Sequence, residues 1–130
     1  MWKVNKENTN NSAVVFNWNV ILLNRNTSIL TDDNVDESLK QIIDTNFTGL
    51  VYATRYAFRL MKKSENYGYI ININSIAGHV TPFPADGVSR SNVYHGTKHA
   101  VTATTEVLRQ ELVCMKNDKI RVSVSIMITI

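Results

Sequence analysis

The chain reads as an α/β domain: about three parallel strands with two long helices on one face of the sheet. Two observations carry this. Apolar residues recur at three- and four-residue steps through 35–62 and again through about 92–115, the spacing of amphipathic helices. Short apolar or alternating runs stand before, between and after these stretches, at 20–23, 69–75 and 120–130, and read as strands. Alternating strands and helices imply right-handed crossovers and a parallel sheet.

Each element has its own warrant. Residues 1–13 are polar and Asn-rich, lack the apolar core of a secretory signal, and read as a disordered leader before a domain at 14–130. The run at 20–23 is continuously apolar, as a buried strand is. Asp32 or Asp33 can cap the helix that follows. Val35, Leu39, Ile42 or Ile43, Phe47, Leu50, Thr54, Ala57 and Met61 form its inner stripe, and Gly49 weakens it locally. A turn at 64–68 precedes the strand at 69–75, where Ile71 and Ile73 face one way and Ile70, Asn72 and Asn74 the other. Residues 76–93, with Gly78, Pro82, Pro84 and Gly87, form a loop long enough to suggest a functional role. The second helix carries Val101, Thr105, Leu108, Leu112 and Met115 on one stripe, and a turn at 116–119 leads to the last strand.

Two right-handed crossovers in the same direction place both helices on one face. A parallel sheet is normally covered on both faces. The chain therefore reads as part of something larger, or as a protein with a partner.

Bulk properties narrow the function. With 130 residues there is room for one domain. The net charge of +3 is scattered and forms no dense Lys/Arg patch, so nucleic acid is not favoured. No apolar segment is long enough to span a bilayer. The single cysteine, Cys114, excludes an internal disulfide and a Cys-based zinc cluster, and fits a reducing, cytoplasmic compartment.

The chemistry-bearing residues are Ser75, Tyr94 and Lys98. Tyr94 and Lys98 stand one helical turn apart in Tyr94-His95-Gly96-Thr97-Lys98, on one helix face. A phenol is a poor base at neutral pH, and a nearby cation favours its ionised form. Such a tyrosine can exchange a proton with a substrate oxygen while hydride moves at the adjacent carbon. Ser75 closes its strand at the sheet edge where open α/β folds place ligands, and its hydroxyl can polarise the same oxygen. The pair alone carries little weight. With five tyrosines and eight lysines in the chain, roughly 0.3 such pairs arise by chance. A surface tyrosine beside a solvated lysine is the plain alternative. The order serine, loop, pair at a helix start is what adds specificity.

The surroundings of these residues are similar to the short-chain dehydrogenase/reductase family, with most likeness to its insect farnesol dehydrogenase-like branch. The likeness runs over Asn72-Ile73-Asn74-Ser75-Ile76-Ala77-Gly78-His79, Tyr94 through Ala103, Glu106 through Leu112, and Lys119-Ile120-Arg121-Val122. Asp44-Thr45-Asn46-Phe47-Thr48-Gly49 resembles the family's helix with a catalytic asparagine. The resemblance covers about 14–126 and is most specific over 44–122. It implies a partial Rossmann-like dehydrogenase domain using NADP or NAD on a small apolar alcohol or carbonyl. Ser75 would position the substrate oxygen. Tyr94 would be the acid/base, and Lys98 would lower its pKa and hold the nicotinamide ribose. Asn46 would anchor a water in the proton relay, and with Tyr94 and Lys98 would line the cofactor site. By pattern alone, Asn46 is a polar helix residue facing solvent. His79, Val80 and Phe83 would wall the substrate pocket, His79 in a structural role.

The sequence also departs from the family. The glycine-rich turn that carries dinucleotide phosphates has no counterpart, since Gly49 is the first glycine. Arg25-Asn26-Thr27 stands where an Asn-Ala-Gly turn is expected, and Met127 through Ile130 where a Pro-Gly turn is expected. Two expectations follow. One is an oxidoreductase-family chain, impaired or inactive as it stands. The other is a truncated, non-catalytic paralogue or interaction fragment that associates with full-length relatives through the two long helices, using Leu50, Ala57, Val101, Leu108 and Leu112.

Overall fold

The computed structural model describes residues 3–5, 12–17, 28–31, 33, 36–65, 67–85, 87 and 93–127. Its elements in chain order are β1 (Lys3–Asn5), β2 (Ser12–Asn17), α1 (Asp36–Ile43), a π-helical segment (Asp44–Thr48), α2 (Gly49–Ser64), β3 (Tyr67–Ser75), a 3-10 turn (Ile76–Gly78), α3 (Tyr94–Cys114) and β4 (Ile120–Met127). The sheet order is β1-β2-β3-β4. β2, β3 and β4 are parallel, and β1 pairs antiparallel with β2.

The three parallel strands and two long helical units match the expected architecture, with differences at the amino-terminal end. The first parallel strand is β2, whose run Ala13-Val14-Val15-Phe16 is rich in strand-favouring side chains. It pairs from Ser12↔Tyr67 to Asn17↔Asn72. The run at 20–23, read as that strand, lies outside the described residues. Lys3–Asn5, read as leader, supplies the edge strand. Pairing in a parallel sheet is decided by a distant partner, so local pattern did not mark 12–17 as a strand.

The first long helix keeps its helical backbone throughout, from Ile43 (φ −64°) to Gly49 (φ −60°), but winds more widely at 44–48. The sequence accounts for this. Ile42, Asn46, Leu50 and Thr54 are successive four-residue steps, and all are buried. In a helix of about 3.6 residues per turn such steps drift off the buried face, and a wider π turn offsets the drift. Ala57 and Met61 continue the stripe into the core with Ile70, Leu112 and Ile120. Both helices therefore cover the face of β3 that carries Gly68, Ile70, Asn72 and Asn74. Gly68 makes room for α2, because a Cβ there would collide with the Met61 thioether.

No described helix covers the other face of the sheet. On it Tyr67 and Tyr69 are 60% and 39% exposed, as the crossover argument expects, whereas Ile73 further along the strand is buried. α3 ends in a tight turn. Lys116 takes a left-handed conformation (φ 52°), and the Asn117 side-chain carbonyl accepts from the backbone N–H groups of Lys119 (3.1 Å) and Ile120 (2.8 Å). This cap aims the chain straight into β4 beside β3. Among the described residues no helix is long and apolar enough to cross a membrane.

Candidate active site

The carboxyl end of β3 and the amino end of α3 meet at one edge of the sheet. Strand β3 ends at Ser75, and α3 begins at Tyr94. Ser75 leaves the strand in extended backbone (φ −131°, ψ 161°) and caps the 3-10 turn, its Oγ accepting from the Ala77 N–H at 3.2 Å. The hydroxyl proton of Ser75 is not spent in that bond.

Tyr94 and Lys98 share a face of the first turns of α3. The Lys98 ammonium lies 5.8 Å from the centre of the Tyr94 ring. Lys98 is completely buried, which disfavours its charged form and pulls its pKa down from 10.5 to about 8. It is still mostly a cation at neutral pH. This is not the solvated lysine of the plain alternative. His95 stands edge-on to Tyr94, ring centroids 6.0 Å apart and planes at 87°. Burial, and then the neighbouring His99, hold His95 below the usual imidazole range.

Asn46 is brought to the same place from the π segment. It is fully buried, so the solvent-facing reading of this residue is corrected. Its Nδ2 donates to the Thr97 Oγ1 at 3.4 Å, and that hydroxyl donates to the Tyr94 carbonyl at 2.8 Å. Asn46 is thus tied to the turn of α3 that carries Tyr94 and Lys98. The wide turn puts Asn46 on the buried stripe, and π segments often mark functional positions.

Several residues that the sequence did not single out build the frame. Asn72 accepts from the Thr54 hydroxyl of α2 (3.2 Å) and donates to the Thr105 hydroxyl of α3 (3.0 Å), so one strand amide bridges both helices. Asn74 donates to the Lys98 carbonyl (3.1 Å) and to Thr102 Oγ1 (2.8 Å). The alternation in β3 already puts Asn72 and Asn74 on the helix side. The available signal was the presence of two amides where apolar residues belong. Val80 and Phe83 of the loop are exposed, by 49% and 89%, and so is His79. No wall of a pocket formed by this trio is visible among the described residues.

The carboxyl edge of the strands is where open α/β sheets bind their ligands, and this is where Ser75, Tyr94 and Lys98 lie. Comparison with known proteins gives the family. A family model described as short chain dehydrogenase matches residues 11–128, and the chain belongs to that family. It is 45% identical over 89 residues to the farnesol dehydrogenase of Aedes aegypti, covering 68% of this chain and 34% of that protein. It is 45% identical over 74 residues to dehydrogenase/reductase SDR family member 11 of Bos taurus, covering 56% of this chain and 28% of that protein. Among solved structures, a 4-hydroxyisoleucine dehydrogenase complexed with NADH superposes with a TM-score of 0.67 at 23% identity, over 85% of this chain and 43% of the other. A short chain dehydrogenase/reductase from Burkholderia phymatum in complex with NAD gives 0.67 at 22% identity, over 87% and 36%. These two establish the Rossmann-like fold. The chain spans about a third of the length of the curated relatives it matches.

Proposed function

We propose that this chain carries the proton-transfer part of an NAD(P)-dependent dehydrogenase/reductase acting on an apolar, farnesol-like alcohol or its carbonyl. One observation carries the reading: a wholly buried lysine whose ammonium lies 5.8 Å from the ring of a tyrosine at the carboxyl edge of the sheet. A buried cation is tolerated only where the protein pairs or hydrogen-bonds it, so the Lys98 ammonium is held in place beside the phenol ring.

In this reading Tyr94 exchanges a proton with the substrate oxygen. The Lys98 cation steadies the negative charge that grows on the phenol as its proton leaves. Ser75 donates its hydroxyl proton to the same substrate oxygen and holds it in place. Asn46, fixed through Thr97, orients the water through which the proton is replenished. NAD or NADP, when bound, would supply or accept the hydride. Lys98 and Tyr94, with Asn46 behind them, fit the nicotinamide-ribose end of such a cofactor. A glycine-rich turn for its phosphates is not found before Gly49. The chain by itself is therefore proposed to bind cofactor weakly and to work poorly or not at all. Titration of the purified protein with NADPH, followed by cofactor fluorescence, tests this. Weak saturable binding is expected, and none at millimolar cofactor sinks the reading for this chain.

A second reading is association with full-length relatives, and a specific surface favours it. Leu50, Ala57, Val101 and Leu112 are buried and cannot meet a partner. Tyr52, Tyr56 and Leu60, at four-residue steps along α2, are 69%, 58% and 50% exposed. Beside them an apolar hollow of about 260 Å³ between α2 and α3 is lined by Val51, Phe58, Val107 and Leu108. Co-purification with a full-length relative checks this reading, and loss of any complex in Tyr56→Glu would place the contact here.

A further inference from the structure

The end of β3 and the turn after it are fastened to α3 through the Thr102 hydroxyl and the Lys98 carbonyl. Asn74 Nδ2 donates both to the Lys98 carbonyl (3.1 Å) and to Thr102 Oγ1 (2.8 Å). The Thr102 hydroxyl in turn lies 3.0 Å from the Gly78 carbonyl and 3.4 Å from the Lys98 carbonyl, a donor to either. Gly78 leaves no room to spare. A Cβ on it would sit 2.5 Å from Asn74 Nδ2, 2.6 Å from the Lys98 carbonyl and 3.0 Å from Thr102 Oγ1. Asn74 precedes Ser75 in the chain, and the 3-10 turn that Ser75 caps ends at Gly78. The same three side-chain and backbone groups thus grip both sides of Ser75 and the turn of helix that carries Lys98.

This arrangement is not the cheapest way to fill the space. Asn74 is 2% exposed, and its Oδ1 has no hydrogen-bond partner among the described residues. A buried acceptor without a partner costs about 1–3 kcal/mol. An apolar strand residue, as at Ile70 on the same face, would avoid that cost. What the amide adds is its pair of donors, and both are spent on the fastening.

We propose that Asn74 and Thr102 are positioning residues that lock the Gly78 turn onto the Lys98 carbonyl and so fix the Ser75 hydroxyl and the Lys98 ammonium relative to each other. The proposal rests on the reading of Ser75, Tyr94 and Lys98 as the proton-transfer set. Neither positioning residue meets the substrate in it. They act through the backbone, by holding the turn against the part of α3 that carries Lys98, and loosening this contact is expected to admit water to the buried ammonium.

The test is the titration of Lys98 itself, read by carbon NMR of the lysine ε-carbons in the full chain, assigned with Lys98→Arg. In the unaltered protein the Lys98 midpoint is expected near 8, because burial lowers it from 10.5. Thr102→Val keeps the shape and removes the hydroxyl. Its Lys98 midpoint is expected to rise by about one unit or more toward 10.5, as water reaches the ammonium. Asn74→Ala is expected to do the same, and Thr102→Ser to restore the original midpoint. Thr54→Val removes a more deeply buried hydrogen bond, to Asn72, and is expected to leave Lys98 unmoved. An unchanged midpoint in Thr102→Val overturns the proposal, as does an equal shift in Thr54→Val or no rescue by Thr102→Ser. The measurement needs no turnover, so its failure is distinct from a failure of cofactor binding, which bears on the proposed function instead.

Discussion

The Lys98 ammonium stands 5.8 Å from the centre of the Tyr94 ring, with the lysine completely withdrawn from solvent. A cation at this distance from an aromatic face is attracted to it, and more so when it has lost its water. One helical turn of spacing in the sequence has become a desolvated charge beside a phenol. That relationship separates a site from a chance pair of surface residues, and it makes the behaviour of each partner measurable.

Tyr94→Phe is the first test. It keeps the ring against Lys98 and His95 and removes only the oxygen that handles the proton. Whatever NADP-dependent turnover the chain shows is expected to fall by about 10²–10⁴-fold, with cofactor affinity held within a small factor. Steady-state rates and a fluorescence titration of the same preparation check this. Unchanged turnover would remove Tyr94 from the chemistry.

The helices and β3 were legible because their cause is local. Four-residue steps from Ile42 to Met61 and alternation from Tyr69 to Ser75 state which side of each element is buried. What was not legible depends on distant partners. Asn46 looks like a solvent-facing helix residue until Thr97, fifty-one positions away, is seen to accept from it. Asn72 looks misplaced on a buried face until Thr54 and Thr105 close on it from two helices. That 12–17 pairs in parallel with β3 likewise rests on a distant partner, which no local pattern states. Tyr94, Lys98 and Ser75 were found because their spacing carries chemistry; Asn74 and Thr102 were not, because theirs carries only geometry.

Asn72→Leu tests the bridge between the helices. It fills similar volume but removes two buried hydrogen bonds, one from the Thr54 hydroxyl (3.2 Å) and one to the Thr105 hydroxyl (3.0 Å). Each such bond contributes about 0.5–1.5 kcal/mol net. Chemical denaturation is expected to show a loss of about 1–3 kcal/mol. In a Thr54→Val background the first of these bonds is already gone, so Asn72→Leu is expected to cost less there than in the unaltered protein.

Gly78→Ala tests the tight approach of the turn to α3. The added methyl would meet the Lys98 carbonyl at 2.6 Å, a backbone atom within a helix that cannot swing aside. Overpacking of this kind costs about 1–3 kcal/mol. The expected signature is a lowered denaturation midpoint together with faster hydrogen exchange at Ala77 and His79, whose N–H groups bond within or next to the turn. Unaltered stability would mean that the turn has slack.

Lys98→Met tests the cost of the buried charge, and the sign of its pH dependence follows from linkage. Lys98 has a folded pKa of about 8 against an ordinary 10.5. Below pH 8 both folded and unfolded chains carry the proton, and the full burial penalty is present. Between about 8 and 10.5 the unfolded chain holds more protons than the folded one, so stability rises with pH. Above 10.5 the penalty is gone. The gap between the two values is worth roughly 3 kcal/mol. Methionine fills the same space without the charge, so Lys98→Met is expected to be more stable than the unaltered protein at pH 7, by up to about that amount. The difference between the two proteins is expected to shrink as pH rises from 8 and to close near 10.5. Urea unfolding of both proteins at each pH unit from 7 to 10 measures it, and taking the difference cancels the other lysines and tyrosines that titrate near 10. A difference that stays constant with pH would show that Lys98 is not desolvated. A less stable Lys98→Met at pH 7 would show that the bonds Lys98 makes outweigh the burial of its charge.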